Sequence, residues 1–216
     1  MSRPDRIIGI DPGLNGAIAA ISWDGLSAQV FDTPRAPVKS SRNRGYDFQQ
    51  MAANVNYLTR GRQCACAVEL VHTMPGEGAV GAFSFGFGTA LWHGMIAGVG
   101  IQAETVDPKR WWKEIGMEPC DEKRRRKAMS IQAALKFFPI LASQLQRAKD
   151  DGRAEALLIA EWLRRKLVLA HQHGTFAEVM EKREPLPMFQ DASPNKGKGG
   201  FVFKHMKAMR DAGEMK

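Results

Sequence analysis

The chain has 216 residues, of which 44% are hydrophobic and 25% charged, and its formal net charge is +8. This is enough for one α/β domain with a substantial core, and apolar segments recur too regularly through the first three quarters for a histone-like disordered protein. The positive charge favours a polyanionic partner, nucleic acid before an anionic membrane.

Cysteine usage and the first residues indicate the compartment. Three cysteines, an odd number, exclude a framework of disulfide pairs. Cys64 and Cys66 lie two apart in an apolar run, which predicts buried thiols on one face of a strand rather than zinc ligands. The first five residues contain no apolar signal region. We therefore expect a cytoplasmic protein of a bacterial or phage-infected cell, not a secreted one.

The stretch at 6–16 carries the first functional signal. Its apolar run at 7–10 predicts a buried strand that ends on Asp11, and Pro12-Gly13 then forces a turn. In one interpretation Asp11 only starts an Asx-type turn. In the other it is a buried carboxylate, which requires a cation, a metal or several hydrogen-bond donors. This stretch alone does not separate the two.

The next elements predict a mixed sheet. Short strands at 17–21 and 28–31 follow the first through tight turns, which predicts an antiparallel meander. A helix at 48–58 is followed by an apolar strand at 64–71 that contains Glu69. Because apolar residues flank this glutamate on both sides, the pattern is typical of a central parallel strand.

The segment at 82–100 contains no Asp, Glu, Lys or Arg, so a membrane span has to be weighed against a buried helix of a soluble protein. Five glycines, three other polar residues and acidic flanks favour the buried helix. Phe85, Trp92 and Ile96 are expected to leave apolar surface uncovered.

Small residues recur at every fourth position of this helix. Because glycine is unfavourable in a helix, a ridge formed by Gly86, Ala90 and Gly94 indicates that another backbone approaches closely. We predict that this ridge forms a homodimer interface, with Gly94 near the axis. The alternative is that the ridge seats the helix on its own sheet.

Basic segments follow a predicted fifth strand at 101–106. A helix starting at Asp107-Pro108 interleaves cations with two tryptophans, which suits phosphate contact and base stacking, although a solvated helix with its tryptophans in the core fits equally. A second helix at 121–138 has Asp-Glu in its first turn and then five consecutive cations. The predicted nucleic-acid contacts are Lys109, Arg110, Lys113, Lys123, Arg124, Arg125, Arg126 and Lys127. Met74, Phe83 and Phe85 are predicted to contact a branch point, or alternatively Phe83 and Phe85 belong to the core.

The last predicted helix begins with a pair of carboxylates. Asp151 and Glu155 lie four apart and therefore on nearly one helix face, one residue too far for a capping box. Simple capping by Asp150 or Asp151 is the alternative. If this pair converges with Asp11 and Glu69, mutual repulsion requires divalent cations, and oxygen ligands favour Mg²⁺ or Mn²⁺ over zinc. Two such ions about 4 Å apart bind the attacking and leaving oxygens of a phosphodiester.

Together, the motifs IGIDPG around Asp11, AVEL around Glu69 and DGRAEALLIA at 151–160 resemble the RuvC-type Holliday-junction resolvases of the ribonuclease H-like superfamily, nearest to the phage and plant-organellar branches. The resemblance covers residues 6–168. It implies an α/β fold with a five-stranded mixed sheet, helices on both faces, and the first and fourth strands adjacent. We expect a nuclease domain at 1–170 and a partly flexible extension at 171–216.

The resemblance also implies a function. Asp11, Glu69, Asp151 and Glu155 would be catalytic ligands of two Mg²⁺ or Mn²⁺ ions, with Asp150 as an alternative to Asp151. Bacterial members place two Asp three apart on the helix, whereas this chain has Asp and Glu four apart. The expected activity is paired hydrolysis of four-way DNA junctions by a homodimer, without a nucleotide cofactor or a membrane.

Four other functions compete with this one. Two keep the fold and the chemistry but change the substrate: a branch or flap nuclease and a nuclease of RNA–DNA hybrids. The third is a catalytically inactive DNA-binding relative, which the presence of all four acids argues against. The fourth is an actin-like ATP-binding domain, but that class needs two such domains and this chain has room for one.

Overall fold

The computed structural model describes residues 3–37, 45–71 and 78–173, all of which belong to one compact unit, Met1–Lys182. Met74 and residues 174–216 lie outside the described residues. The predicted boundary at residue 170 and the predicted flexible extension therefore stay predictions.

The sheet agrees with the sequence prediction. Its strands are β1 Arg6–Asp11, β2 Ala17–Ser22, β3 Ala28–Asp32, β4 Cys64–Glu69 and β5 Ala103–Val106, in the order β3-β2-β1-β4-β5. The first three strands pair antiparallel as a meander, whereas β4 runs parallel to both β1 and β5. The mixed five-stranded sheet with adjacent first and fourth strands is thus confirmed.

Five α-helices connect and cover these strands. They are α1 Phe48–Thr59, α2 Ala79–Gly98, α3 Pro108–Glu114, α4 Lys123–Phe137 and α5 Asp151–His173, with short 3-10 turns at Pro139–Gln144 and Ala148–Asp150. Asp107 caps α3 by accepting from the Lys109 N–H at 2.8 Å, as the Asp-Pro pair predicts. The placement of Asp121 and Glu122 in the first turn of α4 is wrong, because Glu122 is the cap residue and Asp121 precedes it.

Side-chain alternation along the strands produces a core on each face of the sheet. Ile7 belongs to the core beneath α3, α4 and α5, whereas Ile8 and Ile10 belong to the core beneath α1 and α2. The predicted helices on both faces are therefore confirmed. The glycine between the two isoleucines allows close packing: a Cβ on Gly9 would lie 2.2 Å from the Ala156 carbonyl oxygen of α5. This contact places α5 directly against the central strand.

The two strand cysteines lie on one face, as predicted. Both belong to the α1–α2 core, but only Cys66 is buried, and Cys64 is half-buried. Both thiols are free.

Helix α2 packs on the sheet through a narrow face. Gly88, Trp92 and Ile96 are its buried residues, and a Cβ on Gly88 would lie 2.2 Å from the Tyr46 hydroxyl oxygen. The expectation that Trp92 and Ile96 leave apolar surface uncovered is therefore wrong, since both are fully buried. Within the described parts of the chain, no helix is long and apolar enough to cross a membrane.

The opposite face of α2 points away from the sheet. Val80 and Phe83 are 74% and 60% exposed, so the prediction of a buried helix is wrong for this face. A Cβ built on Gly86 or Gly94 would meet no heavy atom within 4 Å, and Ala90 is exposed. The alternative in which the small ridge seats α2 on its own sheet is therefore also wrong.

Candidate active site

Two carboxylates come from the carboxyl ends of adjacent strands. Ile10 of β1 pairs with Val68 of β4, so the next residue of each strand brings Asp11 beside Glu69. Each of these acids lies two residues after a residue that faces α5, Gly9 and Ala67 respectively. The strand alternation therefore directs both carboxylates to the α5 side of the sheet.

The turn after β1 fixes Asp11 closely. Its Oδ1 accepts from the Gly13 N–H at 3.4 Å, so the Asx-type contact predicted as the simple interpretation is present. A Cβ on Gly16 would lie 2.1 Å from the Asp11 carbonyl oxygen, which shows how tightly the turn returns. The turn contact and the clustered carboxylate are both features of this residue.

Helix α5 brings the second pair of carboxylates. Its first turn packs against the β1–β2 turn, because a Cβ on Gly152 would lie 2.2 Å from the Asn15 carbonyl oxygen. Asp151 is buried and Glu155 lies one helical turn further along. The sequence pattern therefore places its two predicted helix acids over the strand ends.

The carboxylates raise one another's pKa values. Burial, followed by the charge of Glu69, raises the pKa of Asp11 to about 7, and burial followed by the charge of Glu155 raises the pKa of Glu69 to about 7. For Glu155, burial and next the charge of Asp11 raise the pKa to about 8. The charge of Asp151 adds to the pKa of both Asp11 and Glu155. The four predicted acids thus form one electrostatic cluster, which is costly to ionise without cations.

Three side chains from α3 and α4 hold these acids individually. Trp111 Nε1 donates to Glu69 Oε1 at 2.8 Å, and Ser130 Oγ donates to Glu155 Oε1 at 3.1 Å. Lys127 Nζ forms an ion pair with Asp151 Oδ2.

Sequence reasoning did not assign these roles. Trp111 is buried, so it belongs to the core and is not available to stack on a base. Lys127, one of the predicted DNA contacts, forms an ion pair with a site carboxylate, and no sequence pattern predicts the contact of Ser130. A usable signal exists in the spacing, because Lys127 and Ser130 lie three apart and share one face of α4.

Asp150 points away from the cluster. Its carboxylate accepts from the Arg147 backbone N–H at 2.8 Å and from Arg147 Nη2 at 2.7 Å. Burial raises the pKa of Asp150, but the hydrogen bonds and charge of Arg147 outweigh it and the net shift is downward. Of the two adjacent aspartates, Asp151 is therefore the one whose charge acts on the other site acids.

The remaining predicted contacts with DNA lie mostly on the surface. Lys109, Lys113, Lys123, Arg124, Arg125 and Arg126 are exposed. Arg110 pairs with Glu114 at 3.0 Å and lies over the Trp162 ring, so it is tied to its own fold. Phe83 and Phe85 are 60% and 40% exposed, and their alternative assignment to the core is wrong.

The donor set matches a hard divalent cation in chemistry. Four carboxylates with no sulfur or nitrogen ligand are the donors that Mg²⁺ and Mn²⁺ prefer. As positioned by Trp111, Ser130 and Lys127, no three acids, histidines or cysteines within 3–37, 45–71 and 78–173 are arranged to hold one ion together. A shared ion would therefore require these side chains to rotate from the positions that they occupy here.

Comparisons with known proteins link part of this chain to one curated relative. No family model matches the chain. A stretch of 95 residues, 44% of this chain, is 32% identical to the chloroplastic Holliday junction resolvase MOC1 of Chlamydomonas reinhardtii. The matched part covers only 10% of that relative's length.

Solved structures extend the comparison to the fold. The structure described as T. thermophilus RuvC in complex with Holliday junction substrate aligns with a TM-score of 0.53 and 18% identity, over 78% of this chain and 96% of that one. Another Thermus thermophilus RuvC structure covers 84% of this chain and 99% of its own, at 20% identity and a TM-score of 0.47. The first alignment confirms the predicted ribonuclease H-like fold class.

Proposed function

We propose that this chain is a structure-selective DNA endonuclease that hydrolyses phosphodiester bonds of four-way junctions. The observation that carries the proposal is the convergence of four carboxylates from β1, β4 and α5 on one buried site, where burial and neighbouring carboxylate charges raise the pKa values of Asp11, Glu69 and Glu155. The identity with a curated Holliday junction resolvase over 95 residues supports the same substrate class.

Divalent cations complete the proposed site. Asp11, Glu69, Asp151 and Glu155 would hold two Mg²⁺ or Mn²⁺ ions, because only added positive charge removes their mutual repulsion. When bound, such ions activate water and stabilise the charge that develops on the leaving oxygen.

The chain's own residues position and neutralise these ligands. Trp111 orients the Glu69 carboxylate through its indole N–H, and Ser130 orients Glu155 through its hydroxyl. The Lys127 ammonium offsets the charge of Asp151. Each of the three contacts comes from a helix that packs on α5 or on the strand ends, so the rigid core fixes the ligand positions.

Exposed cations beside the site supply the proposed DNA contacts. Arg124 and Arg125 lie on α4, the helix that also contributes Lys127 and Ser130 to the site. Contacts from such cations to phosphates carry no sequence information, so they hold the substrate without selecting bases. Exposed Phe83 and Phe85 at the start of α2 are proposed to contact the unstacked bases of the branch point.

A homodimer explains selectivity for four-way junctions. The junction presents two equivalent strands, and a two-fold dimer supplies one site to each. The outward ridge of α2, formed by Gly86, Ala90 and Gly94, is the proposed interface because it lets a second backbone approach closely. Apolar side chains such as Val80 extend the same exposed surface.

The test compares substrates under two conditions. A synthetic four-way junction, a flap, a linear duplex, a single strand and an RNA–DNA hybrid are incubated with the protein in Mg²⁺ and in EDTA. We expect paired incision of the junction in Mg²⁺ and no cleavage in EDTA. Preferential cleavage of the flap or the hybrid would show that this DNA, and not the four-way junction, is the substrate. Binding without cleavage of any substrate in Mg²⁺ or Mn²⁺ would identify an inactive DNA-binding relative.

A further inference from the structure

A cleft of about 910 Å³ opens between the β1–β2 turn, the segment after β3 and the start of α5. Lys127 and Asp151 line one side of it, so the cleft is continuous with the carboxylate site. Asn15, Arg35 and residues of the turn that precedes α5 also line it. None of the exposed cations of α3, nor Arg124 and Arg125 of α4, lines this cleft.

The charges of the cleft favour an anion. Five cationic and three acidic side chains line it. Each acid is paired: Asp151 with Lys127, Asp150 with Arg147, and Asp32 with Arg153 at 2.5 Å. The positive excess therefore comes from the remaining two cations, Arg35 and Lys149, which are both exposed.

Two of the cations that line the cleft, Arg35 and Arg147, are held in place by hydrogen bonds to neighbouring side chains. Arg35 Nη2 donates to Asn15 Oδ1 on the β1–β2 turn. Arg147 donates to Asp150 through Nε and Nη2, and neither bond uses its Nη1, while 53% of its side chain is exposed. A guanidinium group that is already ordered loses little conformational entropy when it binds a phosphate. These two arginines are therefore suited to bind phosphate groups.

A buried hydroxyl in the lining adds a second, independent indication. Thr33 is 2% exposed and lines the cleft, yet its Oγ1 has no hydrogen-bond partner in the described structure. A buried hydroxyl without a partner is unfavourable by about 1–3 kcal/mol, so such groups usually serve a ligand or a bound water.

The lining offers no aromatic surface for bases. None of the described residues that line the cleft is aromatic, so the cleft lacks a stacking platform for bases. Nor is it the mostly apolar lining expected of a pocket for a small organic molecule. The groups present match a chain of phosphates that is read without regard to sequence.

We propose that this cleft binds the sugar–phosphate backbone of the strand held at the carboxylate site. Arg35 and Lys149 each contact a phosphate, and the ion pair of Lys127 with Asp151 marks the passage from the site into the cleft. This inference rests on the proposed nuclease function. It assigns the strand a path that the exposed cations of α3, and Arg124 and Arg125 of α4, do not line.

The experiment measures binding of a four-way junction in EDTA, at several salt concentrations, by fluorescence anisotropy. The variants are Arg35→Ala, Lys149→Ala and both together, with Arg60→Ala as the matched control. Arg60 is an exposed arginine at the end of α1, just before β4 begins, so it lies at the opposite edge of the sheet from the site. Arg35→Gln and Lys149→Gln replace the alanine variants if a melting curve shows that either one disturbs the fold.

Each lost phosphate contact makes the negative slope of log K against log salt less steep by about 0.9. We therefore expect the slope of the double variant to be less steep by about 1.8 for each bound subunit, hence by about 3.6 for a dimer on one junction, and the slope of Arg60→Ala to be unchanged. A junction carrying a single uncharged methylphosphonate near the cleavage position then locates the contact. At one or two positions in the junction, we expect the methylphosphonate to weaken binding by the wild-type protein. At the same positions it should not further weaken binding by the double variant.

Three outcomes overturn the assignment. Slopes of both cleft variants that equal the slope of Arg60→Ala show that no phosphate lies in the cleft. Methylphosphonate effects that add to the variant effects at every position place the contacts elsewhere. Binding of inorganic phosphate that the double variant abolishes, with unchanged junction slopes, identifies a site for a free anion. Because the wild type is assayed for junction cleavage in Mg²⁺ in parallel, failure of the cleft is distinguished from failure of the proposed function.

Discussion

Helices α5 and α2 both carry small residues four apart, but these residues pack against the sheet in α5 and are exposed in α2. Ala156 and Ala160 of α5 face Gly9, whose missing side chain lets the helix lie against the central strand. Gly86 and Gly94 of α2 face no heavy atom of the described structure within 4 Å. The same spacing thus marks close internal packing in one helix and an exposed surface in the other.

The difference explains where the chemistry lies. The close packing of α5 fixes Asp151 and Glu155 over the ends of β1 and β4, so four acids are held together despite their repulsion. Helix α2 contributes no acid, and Gly88 lets it approach Tyr46 and the Pro12 carbonyl oxygen closely. We therefore expect changes on the α5 side to affect the reaction within a subunit, and changes on the outer face of α2 to affect assembly.

The largest effect is expected from the strand acids. Asp11→Asn and Glu69→Gln each remove a proposed ligand, so cleavage should fall by more than the 10–100-fold typical of residues that only support a ligand. Junction binding should be unchanged or tighter, because a negative charge near phosphate is lost. Cleavage is measured in Mg²⁺ and binding in EDTA. A variant that cleaves at the wild-type rate would show that its acid is not a ligand.

A smaller loss is expected from Trp111→Phe. The indole N–H that orients Glu69 is removed while the apolar ring is retained, so activity and Mg²⁺ affinity should fall by about 10–100-fold. Trp112→Phe is the matched control, because Trp112 Nε1 donates to the Glu118 carbonyl oxygen instead of a site acid. The rate at several Mg²⁺ concentrations separates affinity from turnover. Equal losses in the two variants would mean that the Glu69 contact has no role in the reaction.

Two glycines of α2 separate packing from assembly. Gly88→Ala places a methyl group against Tyr46 and the Pro12 carbonyl oxygen, so it should destabilise the fold by about 1–3 kcal/mol. Gly94→Leu meets open space in the subunit, so the fold should stay intact while the proposed dimer dissociates. Thermal denaturation and light scattering measure the two effects. A monomeric wild type, or a dimer unaffected by Gly94→Leu, would contradict the proposed interface.

The smallest effect concerns pH. Asp11, Glu69 and Glu155 have pKa values of about 7, 7 and 8 in the folded protein, above the usual 3.8 for Asp and 4.5 for Glu. The folded state therefore keeps protons that the unfolded state releases, and these groups lower the stability as pH rises from about 4 to 8. Asp150, whose pKa is lowered, acts in the opposite sense, but only as pH falls through its usual value and below.

We expect the melting temperature in EDTA to be lower at pH 8 than at pH 5.5. The difference should be about 2–4 °C for each kcal/mol by which the free energy of unfolding decreases. Mg²⁺ should restore stability mainly at pH 8, where the ions no longer compete with protons. Asp11→Asn should reduce the pH dependence. A melting temperature that rises steadily through this range would contradict the acid cluster.

Much of the fold follows from local patterns in the sequence. The short apolar run that ends on Asp11, and the apolar flanks of Glu69, predict two strands that deliver acids to their carboxyl ends. The spacing of Asp151 and Glu155 places both on one helix face. These features depend on residues within one or two turns of the chain, and there the periodicity of a strand or helix decides which way a side chain points.

Tertiary structure alone decided which partners those side chains meet. Trp111 is 42 residues from Glu69, and Ser130 is 25 from Glu155, so no local pattern pairs them. Asp150 and Asp151 are neighbours in sequence, yet Arg147 binds one and Lys127 the other. Apolar residues lie on all sides of α2, and only the tertiary packing decides that Gly88, Trp92 and Ile96 are the buried ones. The physical reason is that helical periodicity determines only which residues share a face of the helix. Whether that face is buried, and which side chains its residues pair with, depends on elements that are distant in the sequence.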